Sequence, residues 1–248
     1  MTSSFNPFTL EGKVILVTGA SSGIGRQIAI NCSRMGATII LNGRNEERLQ
    51  EVLKELENDN HQIAEGDITQ KADISNIIDN LPKLDGIVHC AGIDHRKPAK
   101  FMEEEDVNRV MGTNFAAPIL LQSELLRQKK VKAGASIIFM SSMAANSPSM
   151  GHGLYSASKG ALISYADCLA LELAPRKIRV NCICPGMVWT KLILQDEVTE
   201  EELKKDEETY PLKRYGTPDD IANLAIYLLS DAASWVTSSH ISITGGAR

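Results

Sequence analysis

The run Val14-Ile15-Leu16-Val17-Thr18 passes directly into Gly19-Ala20-Ser21-Ser22-Gly23-Ile24-Gly25, and helical periodicity opens immediately after it. An apolar strand turning into a helix through glycines brings free backbone N–H groups and the positive end of a helix dipole to one point, where a phosphate is stabilised. The unit also restricts the fold. A helix that follows a strand so closely packs back on the sheet, and the next strand then runs parallel to the first.

The rest of the chain repeats this alternation. Strand-like runs fall at 14–18, 38–41, 62–64, 86–89, 136–140, 179–183 and 241–243, with helical pattern at 25–35, 46–57, 74–80, 107–128, 155–173 and 218–229. The expected fold is α/β: a single-domain, Rossmann-type, doubly wound parallel sheet of about seven strands with helices on both faces. The 248 residues, 43% of them hydrophobic, carry no linker, repeat or composition break, so one domain over 1–248 is expected. The segment at about 187–215 is read as a substrate lid, with an acidic helical run from Glu197 to Glu208.

A net charge of -5 gives no electrostatic reason to bind nucleic acid or an anionic bilayer. The start, MTSSFNPFTLEGK, lacks a basic region followed by an apolar run, and no stretch reaches the roughly 20 apolar residues of a membrane span. A cytoplasmic protein is expected. The five cysteines are read as reduced thiols with no metal site, because Cys182 and Cys184 have no second pair and no nearby histidine.

In doubly wound sheets ligands sit at the carboxyl ends of the strands. The residues that follow the strands are therefore the informative ones. Arg44 lies nineteen residues past Gly25, where an acidic residue would accept from the ribose hydroxyls of NAD(H); a guanidinium instead attracts a 2′-phosphate, so NADP(H) is favoured over NAD(H). The alternative is a solvated arginine opening the next helix. Asp67, after the third strand, either accepts from an adenine amino group or caps a helix.

Tyr155 and Lys159 stand four apart at the start of a helical pattern, which puts them on one face. A cation beside a phenol is expected to lower its pKa, making it a usable proton donor and acceptor. Ser141 and Ser142 close the fifth strand, and Asn114 lies in the helical pattern before it. A serine hydroxyl there can bond the reacting oxygen, and a buried amide can hold a water or a backbone group.

These motifs resemble the short-chain dehydrogenase/reductase family from about Gly12 to Gly246. The resemblance implies an NADP(H)-dependent oxidoreductase interconverting a carbonyl and a secondary alcohol, with Asn114, Ser142, Tyr155 and Lys159 catalytic and Lys159 also holding the nicotinamide ribose. It implies cofactor contacts from Gly19, Ser21, Ser22, Gly23, Ile24, Gly25, Arg44, Asp67, Ile68, Ala91, Gly92, Tyr155, Lys159, Pro185, Gly186, Val188 and Thr190. Ser22 stands where many NADP(H)-using relatives carry a second basic residue. One departure is clear: the family's Asn-Asn-Ala-Gly reads His89-Cys90-Ala91-Gly92 here. His89 is expected to be a satisfied core histidine, and His152 to line the substrate pocket.

By motif the chain is similar to 3-oxoacyl-carrier-protein reductases and to hydroxysteroid or sugar-alcohol dehydrogenases. An acyl-thioester substrate would suit a basic docking patch from Arg96, Lys97, Lys100, Lys129, Lys130 and Lys132. Family resemblance also implies a homotetramer packed through 107–128 and 155–173. The rival reading is an NADP(H)-binding sensor or scaffold, since fold alone does not fix function.

Overall fold

The computed structural model describes residues 5–194 and 199–247. Seven parallel strands form one sheet: β1 (Val14–Thr18), β2 (Thr38–Gly43), β3 (Gln62–Glu65), β4 (Leu84–His89), β5 (Val131–Met140), β6 (Arg179–Pro185) and β7 (Ser239–Ile243). Their order is β3-β2-β1-β4-β5-β6-β7, so the direction of winding reverses between β1 and β4. The crevice at the carboxyl ends of those two strands is the position for a ligand in such a sheet.

Because both faces are covered, the strands read as continuous apolar runs whose alternate residues feed two cores. Ile15, Val17, Ile39, Leu41, Val88 and Ile138 pack under α1 (Gly23–Arg34) and α8 (Pro218–Leu229). On the other face Leu16, Ile40, Ile87, Ile137, Phe139 and Val180 pack under α3 (Lys71–Asp79), α5 (Ala117–Arg127) and α6 (Gly153–Leu173). The remaining helices are α2 (Glu46–Leu53), α4 (Glu104–Met111) and α7 (Glu200–Glu207).

Helix starts follow local chemistry. Asn45, Thr199 and Thr217 cap α2, α7 and α8 with side-chain oxygens, and Pro218 opens α8 where its missing N–H costs nothing. Helix α1 differs, since its N-cap Ser22 makes no side-chain capping bond and the first N–H groups stay open to the crevice. The expected single helix over 107–128 is broken: α4 and α5 are joined by a π-helical segment, Gly112–Ala116. Such bulges are frequent at functional sites. Residues 195–198 of the expected lid, including the start of its acidic run, lie outside the described residues. Among the described residues no helix is long and apolar enough to cross a membrane.

Candidate active site

The glycine loop after β1 meets the loop after β4 at backbone contact. Gly19 has φ +66, and a Cβ there would lie 2.8 Å from Ala91 Cα; at Gly25 a Cβ would lie 2.5 Å from the Gly19 carbonyl oxygen. Only glycine fits at either position, so the cradle and the uncapped start of α1 form together. Thr190 reaches over the same loop, its Cγ2 standing 3.5 Å from where a Gly23 Cβ would be. Val188 is buried and bridges Gly216, and Gly186 donates to the Ile243 carbonyl, which fixes the Pro185-Gly186 turn. Ser21 sits against Gly43, Ile24 packs on the core under α1, and Ile68 is a core residue of the opposite face.

Tyr155 and Lys159 occupy the first turns of α6. The Lys159 ammonium is 5.7 Å from the Tyr155 ring centre and donates to the Met140 carbonyl at 2.9 Å. A Cβ on Gly92 would come within 3.3 Å of that ammonium and 3.2 Å of Asn114 Oδ1, so the three residues converge. Asn114 lies in the π segment, which turns its amide inward. It accepts from the Ile93 N–H at 2.8 Å and donates to the Ile93 carbonyl at 2.9 Å and to Ser158 Oγ at 3.1 Å. Ser158 in turn donates to the Tyr155 carbonyl at 2.7 Å.

The two serines face different partners. Ser141 is buried and donates to the Lys159 carbonyl at 2.9 Å, whereas Ser142 hydrogen-bonds the Tyr155 phenol. One expectation is corrected. The phenol is not lowered by its lysine: burial pushes it up to about 12, with the Ser142 bond opposing and the Asp94 and Cys90 charges adding. Desolvation also brings Lys159 down to about 8. Burial penalises both charged forms more than the pair repays. At neutral pH Tyr155 therefore holds its proton, the form that can give it to a carbonyl oxygen.

At the far end of the crevice Arg44 follows β2, its side chain 73% exposed, with Nη1 at 3.8 Å from Asp67 Oδ2. The other Asp67 oxygen accepts from the Thr69 N–H and hydroxyl at 2.9 and 2.8 Å. That local turn occupies part of the carboxylate otherwise available to an adenine. A groove of about 350 Å³ here is lined by Arg44, Glu65, Gly66, Asp67, Asp73 and Asn76.

A family model described as enoyl-(acyl carrier protein) reductase matches residues 19–248. The chain is 36% identical over 237 residues to a 3-oxoacyl-[acyl-carrier-protein] reductase, FabG, of Rickettsia felis, with 96% of this chain and 97% of that one covered. It is 34% identical over 246 residues to an L-xylulose reductase of Caenorhabditis elegans, covering 96% and 97%. A dehydrogenase/reductase structure from Sinorhizobium meliloti superposes with a TM-score of 0.88 at 33% identity, covering 97% of this chain and 96% of that one. The chain belongs to the short-chain dehydrogenase/reductase family. As a member of that family it is an oxidoreductase.

Other readings of this dehydrogenase/reductase sequence need amendment. His89 is only half satisfied: Nε2 pairs with Gln122 Oε1 at 3.0 Å and the ring stacks on Phe139, but Nδ1 has no partner among the described residues. The six basic residues do not form one patch. Lys129, Lys130 and Lys132 lie where β5 begins, at the opposite sheet edge from Tyr155; Lys130 donates to the Leu81 carbonyl and Lys132 pairs with Asp85. Lys97 is bound to Asp106 and Glu103. His152 does lie beside Tyr155, with ring centres 6.3 Å apart. Sequence reasoning missed Asp94, which faces His152, and the anchor of the 187–215 segment, where Trp189 Nε1 donates to Glu207 at 2.6 Å and the Tyr215 hydroxyl donates to Asp206 at 2.6 Å.

Proposed function

We propose that this enzyme interconverts a ketone and a secondary alcohol with NADP(H), Tyr155 being the proton donor in reduction and acceptor in oxidation. The observation that carries the reading is the convergence of the Tyr155 phenol, the Ser142 hydroxyl and the Lys159 ammonium beside the Gly19/Ala91 cradle. The glycine loop and the uncapped α1 N-terminus suit a diphosphate, Arg44 suits a 2′-phosphate, and the surface between Gly92 and Pro185-Gly186 suits a nicotinamide. The cofactor supplies or takes the hydride when bound. Ser142 orients the carbonyl oxygen, Tyr155 gives it a proton, and Lys159 holds cofactor and offsets charge developing on the phenol. Asn114 positions the Ile93 backbone and, through Ser158, the first turn of α6.

The four-residue constellation is what favours turnover over a sensor or scaffold, which has no need of a proton donor at this position. The relatives' names give two substrate classes, a 3-oxoacyl group carried as a thioester and a hydroxylated sugar ketone. The 187–215 segment is the lid in this reading, anchored by Trp189 and Tyr215. Exposed Leu120 on α5 and Leu171 on α6 support a homotetramer packed through those helices, and a stable monomer in sedimentation at micromolar concentration would contradict it. The activity is tested by following NADPH oxidation with simple ketones, hydroxyketones and acyl thioesters. Turnover with at least one class is expected, and cofactor binding without turnover on any would leave the sensor reading in its place.

A further inference from the structure

Two loops meet beside Tyr155, one following Gly92 and the other leading into α6, and the Lys97 N–H donating to the Gly151 carbonyl at 2.9 Å ties them together. Each contributes one polar side chain. His152 Nε2 stands 3.7 Å from Asp94 Oδ2, with the two side chains 20% and 25% exposed. The His152 ring lies edge-on to the Tyr155 ring at 71°.

Both groups are held from behind. Asp94 Oδ1 accepts from the His95 N–H at 2.7 Å, and His152 Nδ1 pairs with Ser149 Oγ at 2.9 Å. When the Ser149 hydroxyl donates to Nδ1, the ring proton sits on Nε2 and points toward the carboxylate, the tautomer that a facing anion favours. A separation of 3.7 Å is too long for a direct hydrogen bond. An oxygen set to one side of the line joining the two groups can lie about 2.8 Å from each.

That oxygen must accept from Nε2–H and donate to Oδ2. A hydroxyl does both. A ketone, ether or thioester oxygen has no proton for the carboxylate, and an ammonium has no lone pair for the imidazole.

We infer that Asp94 and His152 form a clamp for a substrate hydroxyl, so that the substrate is a hydroxyketone and its reduced form a diol. This rests on the reading that Tyr155 is the proton donor to the reacting carbonyl, and it selects the substrate class for that same site. Asp94 also bears electrostatically on Tyr155 and Lys159, which is consistent with a carboxylate close to the reacting groups. Of the basic residues, Lys129, Lys130 and Lys132 stand away from Tyr155, where β5 begins.

The test compares kcat/KM for hydroxyacetone and acetone with NADPH, in the intact enzyme and in two variants. Asp94→Asn can keep the bond to the His95 N–H while turning an N–H toward the clamp; His152→Phe keeps the ring against Tyr155 but removes Nε2–H. The intact enzyme is expected to favour hydroxyacetone by about tenfold or more, the size of a charge-assisted hydrogen bond at a partly exposed site. Each variant should lower the hydroxyacetone-to-acetone ratio by about tenfold, through KM for hydroxyacetone. Variants that lose both ketones in equal proportion, an intact enzyme that treats the two ketones alike, or turnover confined to an acyl thioester overturn the clamp alone. Absence of NADPH oxidation with every ketone and thioester overturns the reading on which the clamp rests.

Discussion

At the Tyr155 end of the crevice, Asn114 makes three hydrogen bonds, Lys159 is 5% exposed, and Ser141 and Ser158 tie their own neighbours in place. At the Arg44 end the guanidinium side chain is 73% exposed and stands 3.8 Å from Asp67, in a groove that also holds Glu65 and Asp73. The first end is an interlocked assembly in which removing one group strands others. The second is an exposed surface where, under the proposed function, charge discriminates between cofactors, and where a single side chain can be exchanged at small structural cost. Proton transfer needs fixed distances, whereas choosing between two cofactors that differ by one phosphate needs only a difference in local charge.

The largest effect should come from the interlocked end. Lys159→Ala removes the ammonium that offsets phenolate charge, and turnover should fall by about 10²- to 10⁴-fold. NADPH affinity, followed by fluorescence titration, should weaken by about tenfold or more. Because burial brings this lysine down to about 8, the wild-type ammonium is charged below that pH and neutral above it. NADPH binding should accordingly weaken as pH rises through about 8, and Lys159→Ala should abolish that dependence.

Arg44→Asp probes the exposed end. Charge-assisted bonds to phosphate contribute roughly 1.5–3 kcal/mol. With Asp67 already beside the guanidinium and no basic residue at Ser22, the wild-type preference for NADPH over NADH should be nearer tenfold than a hundredfold. The variant should reverse the preference in kcat/KM. Equal use of the two cofactors by the wild type would make Arg44 an ordinary surface charge.

The smallest effect belongs to neither end. Burial depresses His89 to about 4 from the usual 6.5, so the folded protein keeps it neutral where the unfolded chain takes a proton. The stability this contributes is complete above the unfolded pKa and is lost as pH falls toward the folded one. Between about pH 7.5 and about pH 5.5 the loss is about 1 kcal/mol. Urea unfolding at both pH values should show the wild type losing about that much more stability between them than His89→Asn does.

What was legible in the chain follows the same division. Val14–Thr18 and Pro218–Leu229 were readable to the residue, because a two-face-buried strand is a continuous apolar run and Thr217-Pro218 is a strong helix start. The first half of β5 was not, since Lys132 and Gly134 interrupt its pattern. Nor was the π segment: a bulge shifts the helical phase slightly and leaves the apolar periodicity intact, so Asn114 could be placed on a helix but not seen to turn inward. The approach of Lys159 to Tyr155 was legible because a four-residue spacing on a helix fixes it, whereas the choice of Ser142 over Ser141 came from the family resemblance. Asp94 was not, because its meaning depends on His152 in a distant loop, and neither loop has a period to read. The sign of the Tyr155 shift was misread for a related reason, since spacing reveals a neighbouring charge but not the burial that outweighs it.

The most direct test of the central claim separates holding the cofactor from moving the proton. Tyr155→Phe keeps the ring, its packing against His152 and the position of α6, and deletes only the phenolic O–H. NADPH affinity and turnover should be measured on the same preparation with whichever ketone the wild type reduces. Turnover is predicted to fall by at least about 10²-fold while NADPH affinity stays within about threefold of wild type. A variant that retains more than about half the wild-type turnover, or one that loses NADPH binding as steeply as turnover, would contradict the assignment of Tyr155 as the acid-base group.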